Sequence, residues 1–380
     1  MKINRVQIYM FYSLLLSCCF FLSCGGGNNA GTIDGGKDVV MTISPDSLNV
    51  DFNEHTATLA VKSNKEWSVY STEDWCKCSQ SGSVEEATNL VVTISKNTGM
   101  TDRTAKLVFN SGKYTKEVEI KQTYEKVDTT GIVVPEGYAL VWHDEFNNPR
   151  LSGGKPALPN SDDWSYETGN GGWGNNELEN YIPGLLNTDT CAVVSNGSLK
   201  IIAKKVASQV LSIRMNTQKS WTYGYFEARL KLPKGKGTWP AFWMMPKNYT
   251  SWPADGEIDI MEEVGYNPNY VSSTIHCTAY NHTIGTQKTA QTYVSTSQSE
   301  YHLYALEWTA DYIKSYVDGQ CYFTFTNDKT NNKNTWPFNA PFYLKLNLAW
   351  GGDWGGAQGV DESILPATYE IDYVRVFQKK

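Results

Sequence analysis

Asp255-Gly-Glu-Ile-Asp-Ile-Met-Glu-Glu-Val-Gly265 places three carboxylates, Glu257, Asp259 and Glu262, in one short β-type run. A strand points alternate side chains to one face, so Glu257 and Asp259 share a face while Ile258 and Ile260 turn the other way. A regular strand would then set Met261 among the acids and Glu262 among the apolar side chains. One extra residue, a β-bulge at or near Ile260-Met261, restores the sense and returns Glu262 to the acidic face. Glu263 is expected to face away. Clustered carboxylates raise one another's proton affinity, so one stays protonated while another is ionised. An acid beside an anion is what cleavage of a glycosidic bond requires. Acids alternating with isoleucines also describe an ordinary half-exposed strand, and the surrounding sequence chooses between the two readings.

Upstream come Trp221-Thr-Tyr-Gly-Tyr-Phe-Glu-Ala-Arg-Leu-Lys-Leu-Pro233 and Gly237-Thr-Trp-Pro-Ala-Phe-Trp-Met-Met-Pro246. Further out lie Trp142-His-Asp-Glu-Phe146, Gly172-Trp-Gly-Asn-Asn-Glu177, Asn347-Leu-Ala-Trp-Gly-Gly352 and Ile371-Asp-Tyr-Val-Arg-Val376. With Glu-x-Asp-x-x-Glu among them, in this order, the region from about 136 to 378 resembles glycoside hydrolase family 16, in particular its laminarinase-like branch.

The resemblance implies a β-jelly roll whose concave sheet forms the cleft. It implies that Glu257 is the nucleophile, that Glu262 is the general acid and then base, and that Asp259 tunes their protonation. Retaining glycosidases hold the two carboxyl groups about 5–5.5 Å apart, whereas Cα atoms four strand positions apart lie about 13 Å apart. Long glutamate side chains leaning together on a bulged strand close that gap, and aspartate at either end falls short. Substrate contacts are expected from Trp239 and Trp243, which share a strand face, and from Trp173 and Asn175 on a Gly-rich loop suited to close approach. Arg214, resembling an arginine that hydrogen-bonds sugar hydroxyls, and His276, on the apolar stretch after the acids and expected to touch the acid or the sugar if that stretch pairs with the acidic strand, complete the expected set. Trp350, where a smaller residue is expected before Gly351-Gly352, would narrow or extend the cleft. The resemblance also implies a structural calcium held by Glu145, the Gly197 carbonyl and Asp372, oxygen ligands of the kind calcium takes; no cofactor is expected for catalysis itself.

The chain has 380 residues, a net charge of −7 and a pI near 5.4. No basic patch stands out, which argues against a nucleic-acid partner. Of its 13 tryptophans, 11 follow residue 136, which suits both a sandwich core and flat faces that stack on sugars. Lys2 and Arg5 precede an apolar run from about Val6 to Leu22, too short for a stable membrane span. Phe21-Leu-Ser-Cys24 resembles a bacterial lipoprotein cleavage site, making residues 1–23 a signal peptide, Cys24 the lipidated first residue and 24–38 a flexible Gly-rich tether. Leu16-Ser-Cys18 is a rival site, and the linker composition that starts after Cys24 favours the later one. A lipid-anchored envelope protein follows, with an outer-membrane location and a monomeric state expected. The five cysteines after the signal, Cys76, Cys78, Cys191, Cys277 and Cys321, form neither zinc nor thioredoxin spacing and read as ordinary thiols.

Residues 39–124 carry short strand-like runs at near-regular spacing and no helical period, the mark of a small β-sandwich. Trp67, Trp75, Asn97, Arg103 and Gln122 resemble the immunoglobulin-like BACON domain. Glycan binding and a spacer that lifts the enzyme from the membrane are the two roles open to it, the spacer being favoured. A linker spans 125–135, and 136–380 reads as an all-β catalytic domain of two facing antiparallel sheets. The leading expectation is an endo-acting, retaining β-glucanase acting on β-1,3- or mixed β-1,3/1,4-glucan. Alternatives are a galactan hydrolase of the agar, porphyran or carrageenan type, a transglycosylase, and a non-catalytic glycan-binding lipoprotein.

Overall fold

The structure, a computed structural model, describes residues 38–84, 87–97, 101–124, 129–147 and 157–380. The signal peptide, Cys24 and nearly all of the expected tether lie outside the described residues. Two compact units divide the chain, Met1–Glu125 and Lys126–Lys380.

In the first unit, alternating apolar residues build two sheets that close on each other. One holds Met41–Ser44, His55–Ser63, Ala87–Ile94 and Cys76–Cys78; the other holds Ser47–Val50, Tyr114–Gln122, Arg103–Ser111, Trp67–Ser71 and Gly82–Ser83. Leu59, Val61, Leu90, Val92, Leu107, Phe109, Val118 and Ile120 fill the space between them. Trp67 is buried in this core against Phe109, and Trp75 is half-buried with the Arg103 guanidinium 4.2 Å from its ring centre. Arg103 in turn bonds Gln122 at 2.9 and 2.8 Å, so three of the residues that suggested the domain form one structural knot.

The second unit is a two-sheet sandwich. A ten-stranded sheet includes Ser198–Val206, Ala367–Lys379, Gly224–Lys231, His302–Trp308, Tyr312–Val317 and Gln320–Thr326. Opposite it a seven-stranded sheet runs in the order Trp164–Glu167, Arg214–Thr217, Phe342–Trp350, Thr238–Pro246, Glu257–Glu262, Tyr270–His276, Lys288–Tyr293. Its strands are antiparallel, and their alternation sorts the side chains. Phe242, Met244, Ile258, Val271, Ile275, Leu344, Leu346 and Leu348 enter the core between the sheets. Trp239, Ala241, Trp243 and Met245 take the other face, which is the cleft.

The run of acids is therefore a central strand, covered by core on one face. Two glycines bracket it. Gly256 has φ +91°, a conformation side chains avoid, and it packs against Pro337, Phe338 and Phe342. At Gly265 a Cβ would fall 1.8 Å from the Gly235 carbonyl oxygen. Gly265→Ala must push two backbone segments apart, and a loss of about 2 kcal/mol or more is expected, read as a lower denaturation midpoint with an unchanged slope.

Candidate active site

Thr238–Pro246 and Tyr270–His276 flank the acidic strand and fix its register. Ala241 pairs with Glu262, Phe242 with Met261 and Trp243 with Asp259, so Ile260 is the extra residue. The partner on the other side shows the same slip, with Asp259 opposite Thr274 and Glu262 opposite Ser272. This bulge puts Glu257, Asp259 and Glu262 together in one cleft while Ile258, Ile260 and Met261 are all buried in the core. Two indoles address the glutamates. Trp252 Nε1 donates to Glu257 Oε2 at 3.0 Å, and Trp239 Nε1 donates to Glu262 Oε1 at 2.9 Å. His276 Nε2 stands 3.4 Å from Asp259 Oδ2 and 3.9 Å from Glu257 Oε1. The 3.4 Å approach lacks hydrogen-bond alignment, so Asp259 Oδ2 has charge proximity without a bonded donor.

Burial dominates the protonation of the three acids. Glu257 is pushed up to about 7 by burial and then by the Asp259 charge, against the pull of His276, Arg214 and the Trp252 N–H. Burial alone raises Asp259 well above its usual value. Glu262 is raised well up by burial, then by Asp259 and, less, by Glu257, despite the Trp239 hydrogen bond. Of the three, Glu257 has the most favourable company for a negative charge. It is accordingly raised less than Glu262. Glu263, adjacent to Glu262, turns the other way, as expected. It is fully buried and accepts from Asn269 N at 3.1 Å and Ser297 Oγ at 2.8 Å as well as from Gln298, and burial holds it at about 7 despite these bonds.

The remaining expected residues are distributed as follows. Trp173, Asn175, Arg214, Trp239 and Trp243 all line the cleft. The Arg214 guanidinium lies between two rings, 4.7 Å from Trp173 and 4.8 Å from Trp243. Its Nε binds Glu167, which also takes Lys345 Nζ at 2.8 Å. Burial lifts Glu167, but the Lys345 and Arg214 charges outweigh it and hold the carboxyl at about 2. Two cations thus share one carboxylate. Arginine does not release its proton, so Lys345, 1 % exposed, is the one brought down to about 7 by burial and the Arg214 charge. His276, expected to touch the acid or the sugar, is nearly closed from solvent and faces the carboxylates. Trp350 corrects another expectation: it is 1 % exposed, packs in the inter-sheet core and does not shape the cleft.

Glu145 and Asp372 were expected to hold calcium with Gly197. Glu145 accepts from Arg375 Nε and Nη2 at 2.8 and 2.9 Å and contacts His143 Nδ1 at 3.0 Å, while Asp372 accepts from Arg229 Nη1 at 2.6 Å. Gly197 lies close to Asn147, whose Oδ1 would be 3.1 Å from an added Cβ. Calcium requires oxygen donors that converge without a resident positive charge. Both carboxylates already hold a guanidinium, so this donor set does not fit the ion as arranged, and no chemical step below runs through a metal.

Sequence reasoning assigned no role to Trp252, Glu177, Asn347, Tyr249, His282 or Thr283, all of which line the cleft. Asn347 had a signal: it sits with Tyr343 and Lys345 on the polar side of an otherwise apolar strand. It is also a middle link of a buried relay. Trp243 Nε1 donates to Asn347 Oδ1 at 2.7 Å, Asn347 Nδ2 to the Tyr181 hydroxyl at 3.1 Å, and Tyr181 to Glu177 Oε2 at 2.9 Å. Trp252 had none, because only the fold brings its loop over the acidic strand. Its ring lies beside those of His276 and His282, at 5.7 and 4.9 Å.

Residues 183–375 match glycosyl hydrolases family 16, and residues 65–123 match BACON, a putative binding domain. The chain belongs to glycosyl hydrolases family 16. It is 43 % identical over 254 residues to a beta-glucanase of Rhodothermus marinus, spanning 63 % of this chain and 85 % of that one. The X-ray structure of the laminarinase from the same organism aligns with a TM-score of 0.59 at 42 % identity, covering 63 % of this chain and 97 % of that one. SCLam, a non-specific endo-β-1,3(4)-glucanase, aligns with a TM-score of 0.60 at 44 % identity, covering 66 % and 94 %.

One buried carboxyl under the cleft makes the pH dependence of stability predictable. Glu179 is fully buried, accepts Trp350 N–H at 2.6 Å, and is raised to about 9 by burial and by the Glu177 charge. Its folded value lies above the unfolded one, about 4.3. The stability it contributes is therefore complete below that value and is lost as pH rises through about 9. Glu179→Gln should flatten the fall in Tm between pH 6 and pH 9.5, measured by calorimetry across that range.

Proposed function

We propose that the second unit is an endo-acting, retaining β-glucanase that hydrolyses β-1,3-glucan and mixed β-1,3/1,4-glucan. The observation that carries this reading is the bulged strand that brings three buried carboxyls into one cleft walled by Trp173, Trp239, Trp243 and Trp252. A cleft walled by four indoles suits the sugar rings of a polysaccharide chain. SCLam is a non-specific endo-β-1,3(4)-glucanase, and a mutant of that enzyme presents 1,3-β-D-cellobiosyl-glucose at its active site. These relatives support glucan over galactan as substrate.

The chemistry follows from the protonation pattern. Glu257, the acid that ionises first, attacks the anomeric carbon while Glu262 gives its proton to the departing glycosidic oxygen. The bond from Glu257 to the sugar forms as the glycosidic bond breaks. Glu262, now anionic, takes a proton from water, which displaces Glu257 and restores both groups with the original stereochemistry. A charge on Asp259 raises the proton affinity of both glutamates, and His276 opposes it, so this pair sets how readily the proton is shared. The Trp252 and Trp239 N–H groups orient the two carboxyls for these roles.

Glu257→Gln and Glu262→Gln should each abolish hydrolysis of laminarin while leaving the unfolding curve in place. In Glu262→Ala, azide should restore turnover of an activated aryl glycoside, since azide attacks the glycosyl-enzyme without a base. Wild-type turnover in Glu257→Gln would overturn the assignment, and products from agarose but not from laminarin would favour the galactan reading.

We also propose that the chain is lipid-anchored through Cys24 in the cell envelope. The support is the basic start, the apolar run, the Leu-Ser-Cys24 site and the Gly-rich stretch after it. Acyl chains contribute roughly 0.8 kcal/mol per buried methylene, enough for two or three chains to hold a protein. Cys24→Ser should move the protein from the membrane to the soluble fraction, and unchanged sedimentation with membranes would point to another anchor.

A further inference from the structure

The bulge that aims Glu262 is gripped from the far side of the sandwich. A bulge interrupts the regular ladder, and the carbonyls near it need other donors. Ser273 Oγ, pointing into the core from the neighbouring strand, donates to the Asp259 carbonyl at 2.7 Å. Its single proton is then spent, so Ser315 of the opposite sheet is the donor in the 2.7 Å contact between the two hydroxyls. Both serines are fully buried. The Tyr322 hydroxyl, also from the opposite sheet, donates to the Ile260 carbonyl at 3.2 Å. Tyr322 reaches it because its own strand is bulged: Ser315 pairs with Phe323 and Tyr316 with Cys321, leaving Tyr322 as the extra residue. Two bulges, one in each sheet, thus meet through one phenol. Burial keeps that phenol a protonated donor.

We propose that Tyr322, with the Ser315–Ser273 pair, is a positioning device for the reaction: it fixes the backbone at Asp259-Ile260 and thereby the reach of Glu262 toward the glycosidic oxygen. None of the three side chains lines the cleft, so their effect passes through the bulge alone. The inference rests on the reading of Glu262 as the general acid.

The test compares two leaving groups. Departure of a glucosyl alcohol needs the proton from Glu262, whereas departure of dinitrophenolate does not. Tyr322→Phe keeps the ring and removes only the hydroxyl. It should lower kcat/KM on laminari-oligosaccharides about tenfold, the size of one buried hydrogen bond, and leave kcat/KM on the dinitrophenyl laminaribioside within about twofold. Ser315→Ala should shift the two values in the same unequal way. Phe325→Leu, which loosens the same strand beyond the bulge, where Phe325 pairs with Ile313, serves as the control and should lower kcat/KM on both substrates in proportion. Equal losses on both substrates in Tyr322→Phe, or no loss on the oligosaccharide, would overturn the proposal. Glu262→Ala run alongside separates the two readings. If it shows no preference for the dinitrophenyl substrate, the assignment of Glu262 fails whatever Tyr322 does.

Discussion

Three carboxyl groups crowded onto a six-residue strand must share fewer charges than they have sites for. Burial raises each of them, and a charge on Asp259 raises Glu257 and Glu262 further. The surroundings decide which one takes the charge. Trp252, Arg214 and His276 all lower Glu257, whereas Asp259 has His276 at 3.4 Å without a hydrogen bond and is governed by burial. The second unit can be viewed as the scaffolding that this imbalance needs. A core sheet lies behind it, two neighbouring strands hold the register, and a loop supplies the indole that favours the anion.

The same economy of charge recurs under the cleft. Arg214, Lys345 and Glu167 leave one cation in excess, and Lys345 is the group able to shed it. Glu179, beneath the cleft, holds its proton to high pH through burial and the neighbouring Glu177 charge. On the opposite sheet Glu145 and Asp372 have arginines, and Glu145 stays ionised, held at about 2 by its His143 and Arg375 bonds against the effect of burial. Glu167 and Glu145 are matched by cations and Glu179 by a proton, as their neighbours dictate.

Much of this was legible in the residues. Glu257, Asp259 and Glu262 announced both the strand and its bulge, because a period-two pattern that breaks once can be restored only by one extra residue. Trp239 and Trp243 were legible for the same reason. What was missed depended on contacts between distant segments. Trp252 belongs to a loop whose position is set by tertiary packing. Trp350 looked like a cleft residue beside Gly351-Gly352, yet its place in the alternation of Phe342–Trp350 sends it to the core, where Glu179 takes its N–H. His276 was placed correctly beside the acids, but its ring is hemmed in by Trp252 and His282, and only the fold brings these together. Tyr322 gave no sign, since a bulge in an edge strand without charged residues leaves no mark in the pattern.

The parts that hold the acids and the parts that meet the polymer come from different places in the chain. Backbone pairing and core hydroxyls position the carboxyls, while many of the exposed cleft groups, Trp173, Asn175, Tyr249, Trp252, His282 and Thr283, stand on connecting segments. Those segments can lengthen, shorten or exchange residues without altering the register of the strand they overhang. Such a division lets descendants of one ancestral sandwich drift among polysaccharides of different linkage while the bond-breaking centre stays fixed, and it places the record of that drift in the loops.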